Sequence, residues 1–245
     1  MVDIHCHILP GFDDGAADLR EALAMIRTAL DCGVTGIVVT PHFRGEEDFL
    51  PALEEIYRRY SRLEQAAARE GLDIQLYPGA EVLCLEQTGE LARKRLLPTL
   101  GDTGYVLTEF FFDTSFREMD RMLSEIAGAG YIPVVAHPER YDTIVLDPRG
   151  VEDWFARGYV IQLNKGSVLG AFGYRIQKTA EWLLDVGLVH VIASDAHGAQ
   201  RRTTDMTLLA QRLRRHHPES YVRALLQYNP QRLVRGLPML PAETL

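Results

Sequence analysis

The chain opens with Met1-Val2-Asp3-Ile4-His5-Cys6-His7, in which a short apolar strand pattern ends in two histidines. His5 and His7 are two residues apart, so on an extended strand both imidazoles point to one face and Cys6 points to the other. Imidazole nitrogen is a frequent metal ligand in proteins. The stretch therefore predicts a metal site at the carboxyl end of the first strand.

Ligand-type residues recur along the chain where later predicted strands end. The predicted strands are Val2–His5, Gly36–Thr40, Ile74–Tyr77, Tyr105–Glu109, Ile132–Ala136, Val160–Leu163 and Val189–Ala193. Only the sixth, which ends in Leu163-Asn164-Lys165, offers no strong ligand. The candidate metal ligands at or just beyond the other strand ends are His5, His7, Asp14, His42, Glu81, Glu109, His137, Asp195 and His197.

The spacing of these residues also predicts the fold. The strand candidates are nearly continuous apolar runs, which is typical of parallel strands covered on both faces. Amphipathic segments between them predict helices at Leu19–Asp31, Phe49–Glu70, Arg117–Gly128, Tyr174–Val186 and Thr204–Arg215, and a final helix with a short extension is expected from Tyr228 onward. We therefore predict an α/β fold in which residues 1–245 form a single barrel domain. In such barrels the active site lies at the carboxyl ends of the strands.

Bulk composition excludes several classes of protein. The 245 residues are 47% hydrophobic, which is enough for one large buried core. The formal net charge of −8 argues against a nucleic-acid partner. Cys6, Cys32 and Cys84 form no disulfide framework, and the sequence shows neither a charged-then-apolar leader nor an apolar run of membrane-spanning length. We expect a cytoplasmic protein that does not insert into membranes; its oligomeric state is left open.

The chemistry of the ligand set favours certain metals. Imidazole nitrogens and carboxylate oxygens without thiolates suit Mn²⁺, Zn²⁺ or Fe²⁺ better than a structural zinc site. Nine side chains are too many for one ion, and three ions fit if some carboxylates bridge. Four carboxylates opposite three divalent ions leave a charge of about +2, which favours a phosphate dianion as substrate.

Arginines and aromatic residues follow several of the ligands. Arg140, Arg201 and Arg202 follow ligand histidines, and guanidinium groups suit bidentate phosphate recognition. Asp3 is expected to orient a ligand histidine, and Cys6 is expected to be a buried apolar thiol. Phe43, Phe110–Phe112 and Tyr141 could flank an aromatic substrate ring, although core packing is expected for at least two of Phe110–Phe112. The remaining histidines, His190, His216 and His217, lie outside this pattern and receive no role.

Several of these stretches of sequence resemble the motifs of a known family. The stretch from Asp3 to Gly15 resembles the opening of the polymerase and histidinol phosphatase (PHP) superfamily, and more narrowly the bacterial PHP-type protein-tyrosine phosphatases of capsule and exopolysaccharide operons. Four later motifs extend the resemblance along essentially the whole chain: Thr40-Pro41-His42, Gly79-Ala80-Glu81, Ala136-His137-Pro138-Glu139-Arg140-Tyr141 and Ser194-Asp195-Ala196-His197.

The resemblance implies a distorted TIM-like (β/α)7 barrel with three metal ions, often manganese. It implies phosphate-binding, catalytic roles for Arg140 and Arg202, with Arg201 as the alternative to Arg202. The implied partner is an autophosphorylated bacterial tyrosine kinase that controls capsule or exopolysaccharide synthesis. The implied metal sites are His5, His7, Glu81 and Asp195 for one ion, Glu81, Glu109 and His137 for a second, and Asp14, His42 and His197 for the third.

The mechanistic hypothesis is that a hydroxide generated at the metals attacks phosphorus in line, while arginines neutralise the phosphate oxygens. Three alternatives remain. A small-molecule phosphatase of the histidinol-phosphatase type could use the same site, and the chain could be a non-catalytic kinase-docking module. An amidohydrolase also opens with two histidines, but it usually has a carboxylated lysine where this chain has Glu109.

Overall fold

The computed structural model describes residues 1–45 and 49–240, along which parallel strands alternate with helices. This alternation confirms the α/β class. The strands are β1 (Val2–Cys6), β2 (Gly36–Val39), β3 (His42–Phe43), β4 (Gln75–Pro78), β5 (Glu81–Leu83), β6 (Tyr105–Glu109), β7 (Ile132–Ala136), β8 (Val160–Asn164) and β9 (Val191–Ala193). The helices are α1 (Leu19–Asp31), α2 (Phe49–Arg69), α3 (Thr88–Arg93), α4 (Phe116–Gly128), α5 (Asp142–Leu146), α6 (Gly150–Ala156), α7 (Lys165–Val168), α8 (Tyr174–Asp185), α9 (Thr207–His216), α10 (Glu219–Arg223) and α11 (Asn229–Leu233).

The strands occupy the seven predicted positions of a distorted TIM-like (β/α)7 barrel. Every pairing between the described strands is parallel, in the order β1-β2-β4 in one sheet and β3-β5-β6-β7-β8-β9 in the other. The segment after β9 returns to β1, because the amide of Asp195 donates to the carbonyl of His5 and the amide of His7 donates to that of Ala196, both at 2.9 Å. The carboxyl ends of β1 and β9 are therefore neighbours.

Two of the seven positions are broken, and the breaks correct the expected placement of two ligands. The sequence places His42 and Glu81 just beyond strand ends, whereas they begin the short strands β3 and β5 and pair with each other. Pro41 causes the first break, since proline has no amide hydrogen for a sheet, but its carbonyl accepts from the amide of Glu81 at 2.9 Å. Paired backbone, rather than a loop, holds these two side chains.

β1 contains one extra residue relative to β2. Between Asp3 and Cys6, three residue steps along β1 face two steps along β2. A bulge of this kind re-aims the side chains of the strand. Ile4 packs in the apolar barrel interior, and His5, its direct neighbour, still reaches the polar site above it. Strict alternation, on which the face of Asp3 was predicted, does not hold here.

The long helices agree with prediction, and the short ones were missed. Helix α1 matches at both ends, and α2, α4 and α8 differ by one residue at one end. α9 begins three residues later than expected. Helices α3, α5, α6 and α7 have four to seven residues, too few for a periodic pattern to be visible. The expected tail helix is α11, and residues 241–245 of the expected extension lie outside the described residues.

Apolar side chains fill the barrel at the amino ends of its strands. Ile4, Val38, Leu107 and Val134 form an interior cluster that Leu233 of α11 joins. A second, larger cluster packs the outer faces of the strands against the helices. The polar side chains of the barrel are therefore concentrated at the carboxyl ends. Along residues 1–45 and 49–240, no helix is both long and apolar enough to cross a membrane.

His190, which received no role from the sequence, joins β8 to the segment before β9. Its Nδ1 accepts a hydrogen bond from the amide of Ile161 at 3.1 Å, and its ring stacks on Phe155 with centroids 4.6 Å apart. Burial lowers the pKa of His190 to about 4. A proton on Nδ1 would replace this acceptor with a donor, so folding favours the neutral ring.

We expect this histidine to make the protein less stable in acid. The unfolded chain binds the proton near pH 6.5 and the folded protein only near pH 4, so stability is lost as the pH falls between these values. Because the ring is only half-buried, we expect a loss of about 2 kcal/mol rather than the full linkage value. His190→Asn keeps an acceptor but cannot titrate. Denaturant unfolding at pH 7.5 and 4.5 should show a smaller loss for this variant than for the wild type; equal losses would contradict the assignment.

Candidate metal centre

All nine predicted ligands converge at the carboxyl ends of the strands. Glu81 lies at the centre of the cluster, buried and 1% exposed. Its Oε1 is 3.2 Å from His5 Nε2 and 3.0 Å from His137 Nε2. Its Oε2 is 3.3 Å from His7 Nε2 and 3.1 Å from His42 Nδ1. One carboxylate therefore faces four histidines from three strand positions, those of β1, β3 and β7.

The remaining three carboxylates surround this centre. Asp195 Oδ1 lies 3.5 Å from Nε2 of both His5 and His7. Glu109 Oε2 lies 3.3 Å from His42 Nδ1, and its Oε1 lies 3.7 Å from His137 Nε2. Asp14 is more exposed, and its Oδ1 is 3.4 Å from Nε2 of both His42 and His197.

Seven of the nine residues form three overlapping groups whose ligand atoms lie within 4.8 Å of one another, whereas His137 and Asp195 belong to none of these groups. The groups differ from the division that the resemblance implies. His42 is also grouped with Glu81 and Glu109, and His7 is also grouped with Asp14, His42 and His197. The groups are His5, His7 and Glu81; His42, Glu81 and Glu109; and His7, Asp14, His42 and His197. Nitrogen and oxygen atoms at this spacing suit divalent cations with ligand distances of about 2.0–2.2 Å.

Two residues that the sequence reasoning missed orient the first pair of histidines. Gln162 Oε1 accepts from His5 Nδ1 at 2.9 Å, and Asp13 Oδ2 accepts from His7 Nδ1 at 2.8 Å. With both protons on Nδ1, the Nε2 lone pairs of the two rings face each other at 3.1 Å. Such a contact is repulsive unless a proton or cation lies between the nitrogens. In each ring, the hydrogen bond at Nδ1 thus fixes the tautomer in which Nε2 can bind a metal ion.

The prediction that Asp3 orients a ligand histidine is wrong. The carboxylate of Asp3 accepts from the amide and the hydroxyl of Ser194, with the amide at 2.9 Å, and at 3.5 Å from the backbone amide of His5 rather than from its imidazole ring. The bulge in β1 explains the difference, since it breaks the alternation that would place Asp3 beside His5. Cys6 is buried, as expected, and burial raises the pKa of its thiol well above the ordinary value.

Three site residues adopt the left-handed backbone conformation that side chains other than glycine rarely accept. The φ angles are 36° for His137, 48° for Asp195 and 45° for Arg202. His137 directly follows β7, and Asp195 follows β9 by two residues. Strain of this kind costs on the order of 1–3 kcal/mol per residue and is concentrated at functional sites. The bends turn both side chains back toward the centre of the barrel.

Despite burial, neighbouring carboxylates raise the pKa of His5, His7 and His42 and so favour their protonated forms. Burial lowers the pKa of His7, but hydrogen bonds to Asp13 and Glu81 outweigh burial and raise it to about 9. Burial likewise opposes a proton on His42, yet Glu109 and Glu81 raise its pKa to about 11. A cation must displace these protons, so metal binding should release protons and weaken as the pH falls.

Two arginines approach the same cluster, Arg140 from the segment after β7 and Arg202 from the loop after β9. Arg140 Nη1 lies 3.4 Å from Asp195 Oδ2, and Arg202 donates to the same oxygen. Both Arg201 and Arg202 line the cavity beside α1, but Arg201 is the more exposed, and Arg202 is the one that contacts Asp195. The geometry therefore separates the two adjacent arginines, which the sequence could not do.

The end of β8, which offered no metal ligand, supports these arginines. The side-chain Nδ2 of Asn164 donates to Asp195, and Lys165 Nζ donates to the carbonyls of Thr203 and Asp205 in the arginine loop, the latter at 3.0 Å. Nearby, Phe172 lies beneath Arg140, with the guanidinium carbon 4.5 Å from the ring centroid.

The aromatic residues divide into core and surface groups. Phe43, Phe110 and Tyr141 are buried, and their rings pack in the hydrophobic core. Phe111 and Phe112 are 56% and 44% exposed, which makes the expectation of core packing for at least two of Phe110–Phe112 wrong. Their exposure was not visible in the sequence, because the three phenylalanines are consecutive at the end of one strand.

The barrel and its histidine and carboxylate centre define a metallohydrolase of the PHP type. A family model described as capsular polysaccharide synthesis, CpsB/CapC, matches residues 1–235. The chain belongs to this family. It is 35% identical over 203 residues to the tyrosine-protein phosphatase YwqE of Bacillus subtilis, covering 82% of this chain and 79% of that protein.

Two further comparisons extend the likeness over nearly the whole chain. The tyrosine-protein phosphatase CpsB of Streptococcus pneumoniae is 31% identical over 239 residues, covering 96% of this chain and 98% of that protein. A solved structure from work on YwqE of B. subtilis and CpsB of S. pneumoniae, described as metal-dependent tyrosine phosphatases, is 30% identical with a TM-score of 0.87. It covers 98% of this chain and 97% of its own.

Proposed function

We propose that this protein is a metal-dependent protein-tyrosine phosphatase. The observation that carries the proposal is the convergence of nine nitrogen and oxygen ligands in one cluster beside two arginines. The named activity of the relatives at 31–35% identity supports the same reaction. Residues 1–245 are proposed to act as one barrel domain, since the first and last strands meet at the site.

We propose three divalent ions, with Mn²⁺ favoured and Fe or Zn as alternatives. His5, His7, Glu81 and Asp195 would hold one ion, Glu81, Glu109 and His137 a second, and Asp14, His42 and His197 the third. The alternative division follows the three groups described above, in which His42 sides with Glu81 and Glu109. When bound, such ions neutralise phosphate charge and lower the pKa of water.

The protein's own groups would bind and orient the phosphate. Arg140 and Arg202 approach one oxygen of Asp195 from the rim of the cluster, so their remaining N–H groups can reach a phosphate seated there. Both are proposed as catalytic, because guanidinium donors stabilise the charge of the transition state. A tyrosine phenolate leaves readily, since its conjugate acid has a pKa near 10. Arg201 is more exposed than Arg202 and is proposed to contact no phosphate oxygen.

The proposed substrate is a phosphotyrosine protein, and the proposed partner is an autophosphorylated bacterial tyrosine kinase of capsule or exopolysaccharide synthesis. The family description, capsular polysaccharide synthesis, supports this assignment. A cytoplasmic location is proposed with it, in agreement with three unpaired cysteines.

A side-by-side assay tests the function. Metal-depleted protein, with and without restored Mn²⁺, is given a phosphotyrosine peptide and histidinol phosphate. We expect hydrolysis only with Mn²⁺ and a higher kcat/KM for the peptide. Preference for histidinol phosphate would favour a small-molecule phosphatase, and metal binding without hydrolysis would favour a docking module. Undiminished activity after chelation would refute the metal mechanism.

A further inference from the structure

A cavity of about 220 Å³ adjoins the metal cluster on the side of β3, β5 and β6. His42 and Glu109, two of the candidate ligands, form the wall that it shares with the cluster. Its other lining residues are Leu83, Phe110, Phe111 and Phe112, together with Arg44. The cavity is therefore polar where it meets the cluster and largely apolar elsewhere.

The apolar wall exposes two large aromatic rings. Phe110 is buried, whereas Phe111 and Phe112 are 56% and 44% exposed. Exposed neighbouring aromatic rings beside a concave site are typical of ligand-binding surfaces. Phe112 also stacks on Arg140, with the guanidinium carbon 4.7 Å from the ring centroid. The aromatic wall thus continues directly into the proposed phosphate site.

We propose that this cavity binds the phenyl ring of the substrate's phosphotyrosine, with Phe111 as a specificity-determining residue. The inference rests on the proposed function and adds the subsite that selects aryl over alkyl phosphates. The volume is sufficient, because a cavity of roughly 150 Å³ accommodates benzene. A ring seated there lies against Phe111 and Phe112 and directs its ester oxygen past His42 and Glu109 to the cluster.

The test uses the Mn²⁺-loaded full chain and compares the wild type with Phe111→Ala, Phe111→Tyr and the control Leu146→Ala. Leu146 is 73% exposed at the end of α5 and lines no part of this cavity. Three probes are measured: phenyl phosphate, a phosphotyrosine peptide, and inorganic phosphate as an inhibitor without a ring. Phe111→Ala should raise KM for both aryl esters about tenfold with little change in kcat, as expected for a lost aromatic contact.

Inhibition by inorganic phosphate should stay unchanged in Phe111→Ala, and Phe111→Tyr should restore the wild-type KM. Weaker inhibition in parallel with the aryl esters would mean a general disturbance of the site and would overturn the proposal. An effect on the peptide but not on phenyl phosphate would assign the cavity to neighbouring peptide residues and would also overturn it. A wild-type protein inactive on both esters would instead refute the proposed function itself.

Discussion

Glu81→Gln is expected to remove bound metal and to lower kcat/KM for a phosphotyrosine peptide by more than about a hundredfold. Both carboxylate oxygens of Glu81 are engaged, one with His5 and His137 and the other with His7 and His42. An amide of the same shape replaces one acceptor with a donor and removes the negative charge. Loss of an outer partner of a metal ligand alone costs about 10–100-fold, so a central bridging ligand should cost more.

Glu90→Gln provides the matched control for this variant. Glu90 lies on α3, is 58% exposed and pairs with Lys94 on the surface, an interaction that contributes little to stability. Metal content by elemental analysis and kcat/KM should both be normal in the control. Full metal content in Glu81→Gln, with activity within tenfold of the wild type, would show that Glu81 does not bridge the ions.

The strand pattern predicted the barrel because its signals are local. Each strand is a short apolar run, and each ligand lies at or near its carboxyl end, so the order of strands sufficed to bring the ligands together. The breaks at Pro41 and at Gly79-Ala80 were not predicted, since continuation of a strand after a break depends on pairing with its neighbour. Short helices such as α7 were missed for the related reason that their helical form depends on the barrel around them.

The sequence predicted which residues form the site, but not the hydrogen bonds that orient them. The roles of Asp13 and Gln162 are not visible in the sequence around them. A loop brings Asp13 to His7, and Gln162 lies on a strand 157 residues away from His5 in the sequence. The loop also requires glycine at position 15, because a Cβ there would lie 1.9 Å from the carbonyl oxygen of His7. Contacts between distant elements arise only when the barrel forms.

Arg202→Lys and Arg140→Lys are each expected to lower kcat/KM for the phosphotyrosine peptide by about 100–1,000-fold, with metal content unchanged. Lysine keeps the charge but not the planar pair of donors that binds two phosphate oxygens. Loss of one such preorganised donor typically costs this much in the transition state. Both guanidinium groups approach the same oxygen of Asp195, so the two substitutions should also be non-additive when combined.

Arg201→Lys supplies a control at the adjacent position. Arg201 is exposed, whereas Lys165 and the contact with Asp195 hold the arginine loop so that Arg202 faces the cluster. Activity within about twofold of the wild type is expected, as for most exposed substitutions. A larger loss in Arg201→Lys than in Arg202→Lys would mean that the loop shifts by one residue when phosphate binds. The strained φ of 45° at Arg202 would then be released on substrate binding rather than maintained for it.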